Sequence, residues 1–293
     1  LGTDPSFCPV RAMLPACLND EHFPLPDLLV CSTGAVCDDF SAIAQRLERL
    51  GHPILWWEMP RRRAPDPDEP AAALPGGHTA PAGQVDCVRE ELHRVGVELA
   101  KLAGCDLTHE RLQAGIRFAN RIRRQLQTLR QTVYAAPGAP LPALEMLIAE
   151  MLAIHFCSDR QECLIVLAEL AAEATRRVDA RQFVIPADAV RVFWVNPAAD
   201  LRAMNLLEAC GGRLCGSDFM FTHALDLIPE DLPPLEALAR TALADPMVGP
   251  AQERARRIVN DCRRFNVEAV VIARIPGASH CPWESHAIRE SIA

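Results

Sequence analysis

The sequence predicts an α/β protein, with two α/β lobes separated by a helical segment. Near both ends of the chain, apolar runs of strand length bounded by turn residues alternate with patterns of helical period. The middle third is helical throughout. The 293 residues, 49% hydrophobic and 23% charged, are also enough to give two lobes their own cores.

The elements follow in order. The chain opens at Leu1 in mid-pattern, so an upstream segment is expected, which would leave the first lobe truncated at its start. "SFCPVRAML" gives a short helical pattern just after Cys8. "DLLVCS" is an apolar run. Phe40, Ile43, Ala44, Leu47 and Leu50 then share one helical face, and "PILWWEMP" is extended and closes on proline. Strand, helix and strand in succession are the grammar of an α/β lobe. Residues 60–84 carry six prolines and the Gly76-Gly77 pair, so they read as an irregular connector in which the "RRR" run is solvated. From about 85 to 181 the stripe Leu112, Ile116, Ala119, Ile122, Leu126, Leu129, Val133 marks one long helix, and Leu164, Leu167, Leu170, Ala174 another. After "IPADAV" the strands return as "VRVFWVN", "GGRLCGSD" and "VEAVVIAR". Helices are expected at 201–209, near 233–244 and 250–265, and from "CPWESHAIRESI" onward. The expected division is 1–84 for the first α/β lobe with its connector, 85–183 for the helical segment and 184–293 for the second α/β lobe.

Composition excludes several classes. A net charge of -8 opposes a nucleic-acid partner, whose phosphates call for a basic surface. No apolar run reaches the roughly 18–20 residues of a membrane span, and no basic-then-apolar leader opens the chain. The expected location is cytoplasmic, with no membrane partner. Twelve cysteines are many for that setting, where disulfides are rare. Most read as small core hydrophobes. No two are spaced C-x-x-C, so a metal site would have to be assembled from distant segments. "GGRLCGSD" has the glycine gap of a phosphate loop, but Ser217 stands where the lysine should. His109-Glu110 is followed by Gln113 where a zinc helix needs its second histidine.

Three cysteines share a position. Cys8, Cys37 and Cys281 each precede a helical pattern, and Cys37 and Cys281 also follow strands. Ligand sites of open α/β sheets lie at the carboxyl ends of strands, and helix N-termini there stabilise thiolates. Asp38 and Asp39 oppose a free thiolate nucleophile at Cys37, an objection that a bound cation removes. Spacing alone leaves two readings open: a shared three-cysteine metal site, or three half-buried thiols at loop ends.

"SFCPVRAML", "GAVCDDFSAIAQRLERLG", "LLEACGGRLCGSDFMF" and "IPGASHC", in this order over nearly the whole chain, resemble the cluster-bearing subunits of the 2-hydroxyacyl-CoA dehydratase and ATP-dependent benzoyl-CoA reductase family. The likeness is greatest to the reductase branch and its B-type subunits. It implies two Rossmann-like lobes with parallel sheets, and one 4Fe-4S cluster per chain at the lobe interface, held by Cys8, Cys37 and Cys281. It also implies partners: a homologous cluster-bearing subunit, ATPase activator subunits, a ferredoxin-type electron donor and an acyl-CoA substrate. The implied activity passes low-potential electrons to an aromatic acyl-CoA, giving a cyclic dienoyl-CoA. The alternatives are a (R)-2-hydroxyacyl-CoA dehydratase subunit using the same cluster, and a non-catalytic cluster-carrying partner. His280, beside the third ligand where the dehydratases prefer an aromatic residue, favours the reductase branch and is the candidate proton donor. Arg11 reads equally as a steadying charge near the cluster or as a surface ion pair. Cys31 reads as a buried neighbour of Cys37. Glu208 reads as a helix end, and His155 and His223 as structural histidines.

Overall fold

The computed structural model describes residues 9–19, 25–34, 37–155, 159–195, 201–274 and 284–292. Its first lobe is built on a β-α-β unit. β1 (Leu29–Gly34) runs parallel to β2 (Ile54–Met59), with Cys31 opposite Trp56 and Gly34 opposite Met59. Parallel neighbours need a crossover, here α2 (Asp38–Arg49). Its Ile43 and Leu47 pack with Cys17 of α1 (Pro9–Asn19) and with Leu29 and Ile54 of the strands. Asp38 and Asp39 in the first turn of α2, and Arg46 and Arg49 in its last, complement the helix dipole. Gly34 ends β1 at φ +99°, and a Cβ there would lie 2.1 Å from the Met59 carbonyl oxygen. Only glycine lets the two strand ends meet so closely.

The connector of residues 60–84 is more ordered than its prolines imply. β3 (Ala71–Ala73) and β4 (Thr79–Pro81) form an antiparallel hairpin around a 3-10 turn at Pro75–Gly77. Ala72, Leu74 and Ala80 are buried with Met59, Val85, Val88 and Leu243. Three-residue strands of alanine carry no apolar periodicity, and Pro81 is tolerated because it ends a short edge strand.

Four helices follow: α3 (Ala82–Leu102), α4 (His109–Ala135), α5 (Ala143–His155) and α6 (Arg160–Asp179). α3 starts inside the expected connector and packs on β2 and on α8 (Pro234–Ala244). α4 is capped by Thr108, whose Oγ1 accepts from the Arg111 amide, and buries the expected face through Ile116, Ile122, Leu126, Leu129 and Val133. Cys163, Leu164, Leu167, Ala171 and Ala174 of α6 meet that face. Each fully buried leucine there contributes about 1.5–3 kcal/mol.

In the second lobe β5 (Val190–Val195) lies between β6 (Gly212–Asp218) and β7 (Ala269–Ile272), all parallel. α7 (Leu201–Ala209) links β5 to β6. Every residue of β6 is buried, so "GGRLCGSD" is a core strand rather than a phosphate loop, as expected. α9 (Ala251–Arg264) and α10 (Ser285–Ile292) cover the sheet, with Ala255, Ile258 and Ile288 against Phe193 and Val195. Among the described residues, no helix is long and apolar enough to cross a membrane.

Candidate functional site

Cys37 stands between the carboxyl end of β1 and the start of α2. It is the N-cap, with φ -72° and ψ 120°, and its carbonyl accepts from the Phe40 and Ser41 amides at 3.1 and 3.3 Å. The thiol makes no capping hydrogen bond and is half-buried. Its sulfur therefore caps none of the first-turn amides of α2, the end of the helix dipole that favours a negative group. The Ser41 hydroxyl donates to the Ser32 carbonyl at 3.1 Å and fixes this turn on the strand. Cys31, six residues earlier, is 1% exposed, and burial pushes its thiol up, with Glu48 adding to the effect. It is a packing thiol, as expected.

Arg11 grips Asp39 with two nitrogens, Nε to Oδ2 and Nη2 to Oδ1, both at 3.1 Å. The pair neutralises one of the two carboxylates that follow Cys37. It also holds the first turn of α1 against the first turn of α2. The other residues singled out in the sequence, Cys8, His280 and Cys281, lie outside the described residues. Among the described residues, no three His, Cys, Asp or Glu side chains gather as a metal group.

A buried polar chain that sequence reasoning missed crosses the carboxyl end of the second sheet. Glu284, three residues after Cys281, accepts from Arg254 Nη1 at 2.6 Å. Arg254 also donates to Asp218 Oδ2 through Nε and Nη2, at 2.9 and 2.5 Å. Asp218 Oδ1 in turn lies 2.7 Å from His223 Nε2. All four residues are at most 7% exposed. Burial alone would push the Asp218 carboxyl up, but the hydrogen bond from His223 and the charge of Arg254 outweigh it and hold the carboxyl below its ordinary value. The ionised oxygen accepts, so Nε2 carries the hydrogen. Asp218 closes β6, at the strand end where such sheets bind ligands. That position was the available signal, while its partners lie up to 36 residues away and have no local pattern.

Arg62 corrects another expectation. It is 3% exposed rather than solvated, and its Nη1 meets Glu253 Oε2 at 2.6 Å. Its amide donates to the Val248 carbonyl, and a Cβ on Gly249 would fall 2.1 Å from its Nη2. Glu253 also meets His78 Nδ1 at 2.9 Å. Burial, helped by the charge of Arg62, pushes the His78 ring below its usual value. The segment leaving β2 is thus tied to the first turn of α9. Beside this joint lies a cavity of about 760 Å³, lined by His78, His223, Asp245, Glu253 and Arg257.

The remaining cysteines divide. Cys17, Cys163 and Cys215 are buried, but Cys87, Cys105 and Cys210 are exposed, against the expectation that they pack. Their chain positions face solvent from helix surfaces and turns, which cysteine tolerates as a small side chain. Glu208 accepts from the Ala143 amide at 2.7 Å and so caps α5 from a neighbouring helix. His155 closes α5, and its side chain lies outside the described residues.

Two parallel β-α-β units, joined near their carboxyl ends across α9, define an α/β protein. A family model described as 2-hydroxyglutaryl-CoA dehydratase, D-component, matches residues 3–293, and the chain belongs to that family. No curated protein matches it.

Proposed function

We propose that this chain is the iron-sulfur subunit of an ATP-dependent benzoyl-CoA reductase-like complex acting on an aromatic acyl-CoA. Family membership supports a subunit of an acyl-CoA enzyme. The observation that carries the cluster reading is Cys37: a half-buried thiol that makes no capping hydrogen bond, at a strand end and a helix N-terminus, with Asp39 neutralised by Arg11. That donor suits a thiolate-bound group. Cys8 and Cys281 complete the ligand set in this reading, one 4Fe-4S cluster per chain, between lobes spanning 1–84 and 184–293 around the helical segment 85–183. Bound, the cluster supplies electrons at potentials that reach about -700 mV.

The chain's own residues do the rest. Cys37 presents its sulfur at the first turn of α2, Arg11 steadies the adjoining carboxylate, and His280 hands a proton to the reduced thioester. A homologous cluster-bearing subunit, ATPase activator subunits and a ferredoxin-type donor are the partners, in the cytoplasm. A second reading, a 2-hydroxyacyl-CoA dehydratase subunit, is favoured by membership of the 2-hydroxyglutaryl-CoA dehydratase D-component family.

Anaerobically purified protein should hold about four irons per chain. Cys37→Ser and Cys281→Ser should lose most of that iron, while Cys105→Ser keeps it. Full iron in Cys281→Ser would sink the ligand assignment. With a strong reductant, the complex should turn over benzoyl-CoA only while ATP is supplied. Sustained dehydration of a 2-hydroxyacyl-CoA after one brief ATP pulse would decide for the dehydratase.

A further inference from the structure

β6 is bulged near its carboxyl end. Between the pairs Val192–Leu214 and Trp194–Ser217 it holds one residue more than β5. The bulge includes Gly216, at φ +152°, where a Cβ would lie 2.7 Å from the Phe193 ring. Bulges re-aim side chains and collect beside binding sites, which directs attention to the side chain that follows. That side chain is Ser217. It is 8% exposed, and its hydroxyl bonds to no described residue although the oxygen keeps accessible surface. Buried hydroxyls are ordinarily paired, so one that is left open needs a reason. Gly216 and Ser217 both line a cavity of about 250 Å³ between α4, α9 and the end of β6. It meets the larger cavity at Gln127, Asp226 and Arg257.

Two other walls of the small cavity carry groups that the fold leaves available. Asp261 of α9 is partly exposed and makes no hydrogen bond or ion pair among the described residues, and burial pushes its carboxyl up. Arg130 of α4 keeps 17% of its side chain exposed. Its Nε is bonded to Glu150 at 2.8 Å and its Nη2 is sealed without a partner, which leaves Nη1 for a ligand. The other charges are engaged: Arg257 holds Asp226 with two bonds, at 2.6 and 2.8 Å, and Arg264 donates to Gln131. Glu150, Asp226 and Asp261 thus balance Arg130, Arg257 and Arg264 in the lining. A ligand of one sign is repelled there as much as it is attracted, whereas a ligand with both signs on separate atoms finds a partner for each. The space is that of about eight waters, below the roughly 300–1,000 Å³ of drug-sized pockets.

We propose that this cavity is a binding site for a small zwitterion, an α-amino acid. Its carboxylate takes the Ser217 hydroxyl and Arg130 Nη1, and its ammonium lies against Asp261. The lining holds no cysteine and no histidine, so the site stands apart from the cluster reading and does not depend on it.

Calorimetry on the unsubstituted full chain at neutral pH tests the ligand class. Glycine, L-alanine and L-glutamine are titrated beside propionate and ethylamine, which carry one sign each. At least one amino acid should bind once per chain with a Kd below about 10 mM, and both single-charge probes should bind more than about 10-fold more weakly. Absence of any amino acid binding below that Kd, or a single-charge probe within tenfold of the best amino acid, overturns the proposal.

Asp261→Asn and Ser217→Ala test the place. Each removes a group that no described residue compensates, so the melting temperature should hold; Arg130 is left intact because Glu150 is buried against it. Amino-acid affinity should fall about 10-fold or more in each variant, the scale of a lost hydrogen bond to a charged group. In Asp261→Asn the preference over propionate should also disappear. A smaller loss in either variant overturns the assignment. Should a variant not fold, the comparison of zwitterion with single-charge probes on the unsubstituted chain decides.

Discussion

Arg254 and Asp218 are bound through two guanidinium nitrogens on a single carboxylate oxygen, 2.9 Å from Nε and 2.5 Å from Nη2, with neither residue more than 2% exposed. Glu284 takes a third bond from the same guanidinium. One cation thereby compensates two buried carboxylates, joining the end of β6 to the start of α10.

Removing that cation should be severe. Arg254→Met leaves Asp218 and Glu284 buried beside each other's charge, and breaking a buried pair from one side costs about 3–5 kcal/mol. Urea unfolding should show a loss of that order. Asp218→Asn together with Glu284→Gln in the Arg254→Met background should recover part of it, because the stranded charges go too.

Acid stability should depend on Asp218. Its folded carboxyl lies below the ordinary value of about 3.9, so as pH falls the unfolded chain binds this proton first. The stabilisation is complete above the ordinary value and drains away as pH falls toward the folded one. Asp245 has the opposite sign: burial pushes its carboxyl up, so its folded form protonates first and stability rises as pH drops through that range. In urea midpoints taken from about pH 8 to pH 3, Asp218→Asn should flatten the acid loss and Asp245→Asn should reduce the rise that precedes it.

Gly34→Ala should disturb the first sheet. The new Cβ meets the Met59 carbonyl at 2.1 Å, at a φ of +99° that L-residues avoid. Backbone strain alone is worth about 1–3 kcal/mol, and the overlap adds to it. The expected result is a lowered melting temperature, together with loss of whatever iron the proposed cluster brings, since β1 leads into Cys37. Gly51→Ala offers a control: it shares a positive φ of 93° but meets nothing within 4 Å.

Thiol chemistry should sort the cysteines by environment. Cys105 and Cys210 are exposed, Cys87 is exposed but pushed up by partial burial and then by Glu58, Glu91 and Glu90, and Cys215 is pushed up to about 11 by burial. Because the thiolate is the reactive form, iodoacetamide should label Cys105 and Cys210 first, Cys87 more slowly, and Cys215 only on unfolding. Peptide mass spectrometry at timed intervals checks the order.

Long periodic segments announced themselves in the sequence. The stripe from Ile116 to Val133 became the buried face of α4, and "VRVFWVN" became the central strand of its sheet. The resemblance to the 2-hydroxyacyl-CoA dehydratase family carried through to the D-component match, while the greater likeness to the reductase branch has no counterpart in it. Features that depend on distance in the chain did not show. Arg62 sits in a run of three arginines, of which it alone turns inward, and only the fold brings Glu253 and Gly249 to it. The Ala71–Ala73 strand has too little side chain to make a pattern. His223 reads as a structural histidine, and only the fold brings Arg254 and Glu284 to complete the buried chain that it joins through Asp218.

Glu253 and Arg254 are neighbours in the chain that serve opposite sides. The first takes Arg62 and His78 from the stretch after β2, and the second takes Asp218 and Glu284 from the second lobe. Successive helix residues point about 100° apart, so one peptide unit sets the angle at which the two halves face each other. Inserting a single residue between Gly249 and Glu253 would turn Glu253 toward Asp218 and leave Gln252 facing Arg62, and deleting one would turn Arg254 toward Arg62 and leave Ala255 facing Asp218. The opening of α9 should thus resist any change of length through evolution, whereas the exposed turn between Leu102 and His109 is free to lengthen or shorten.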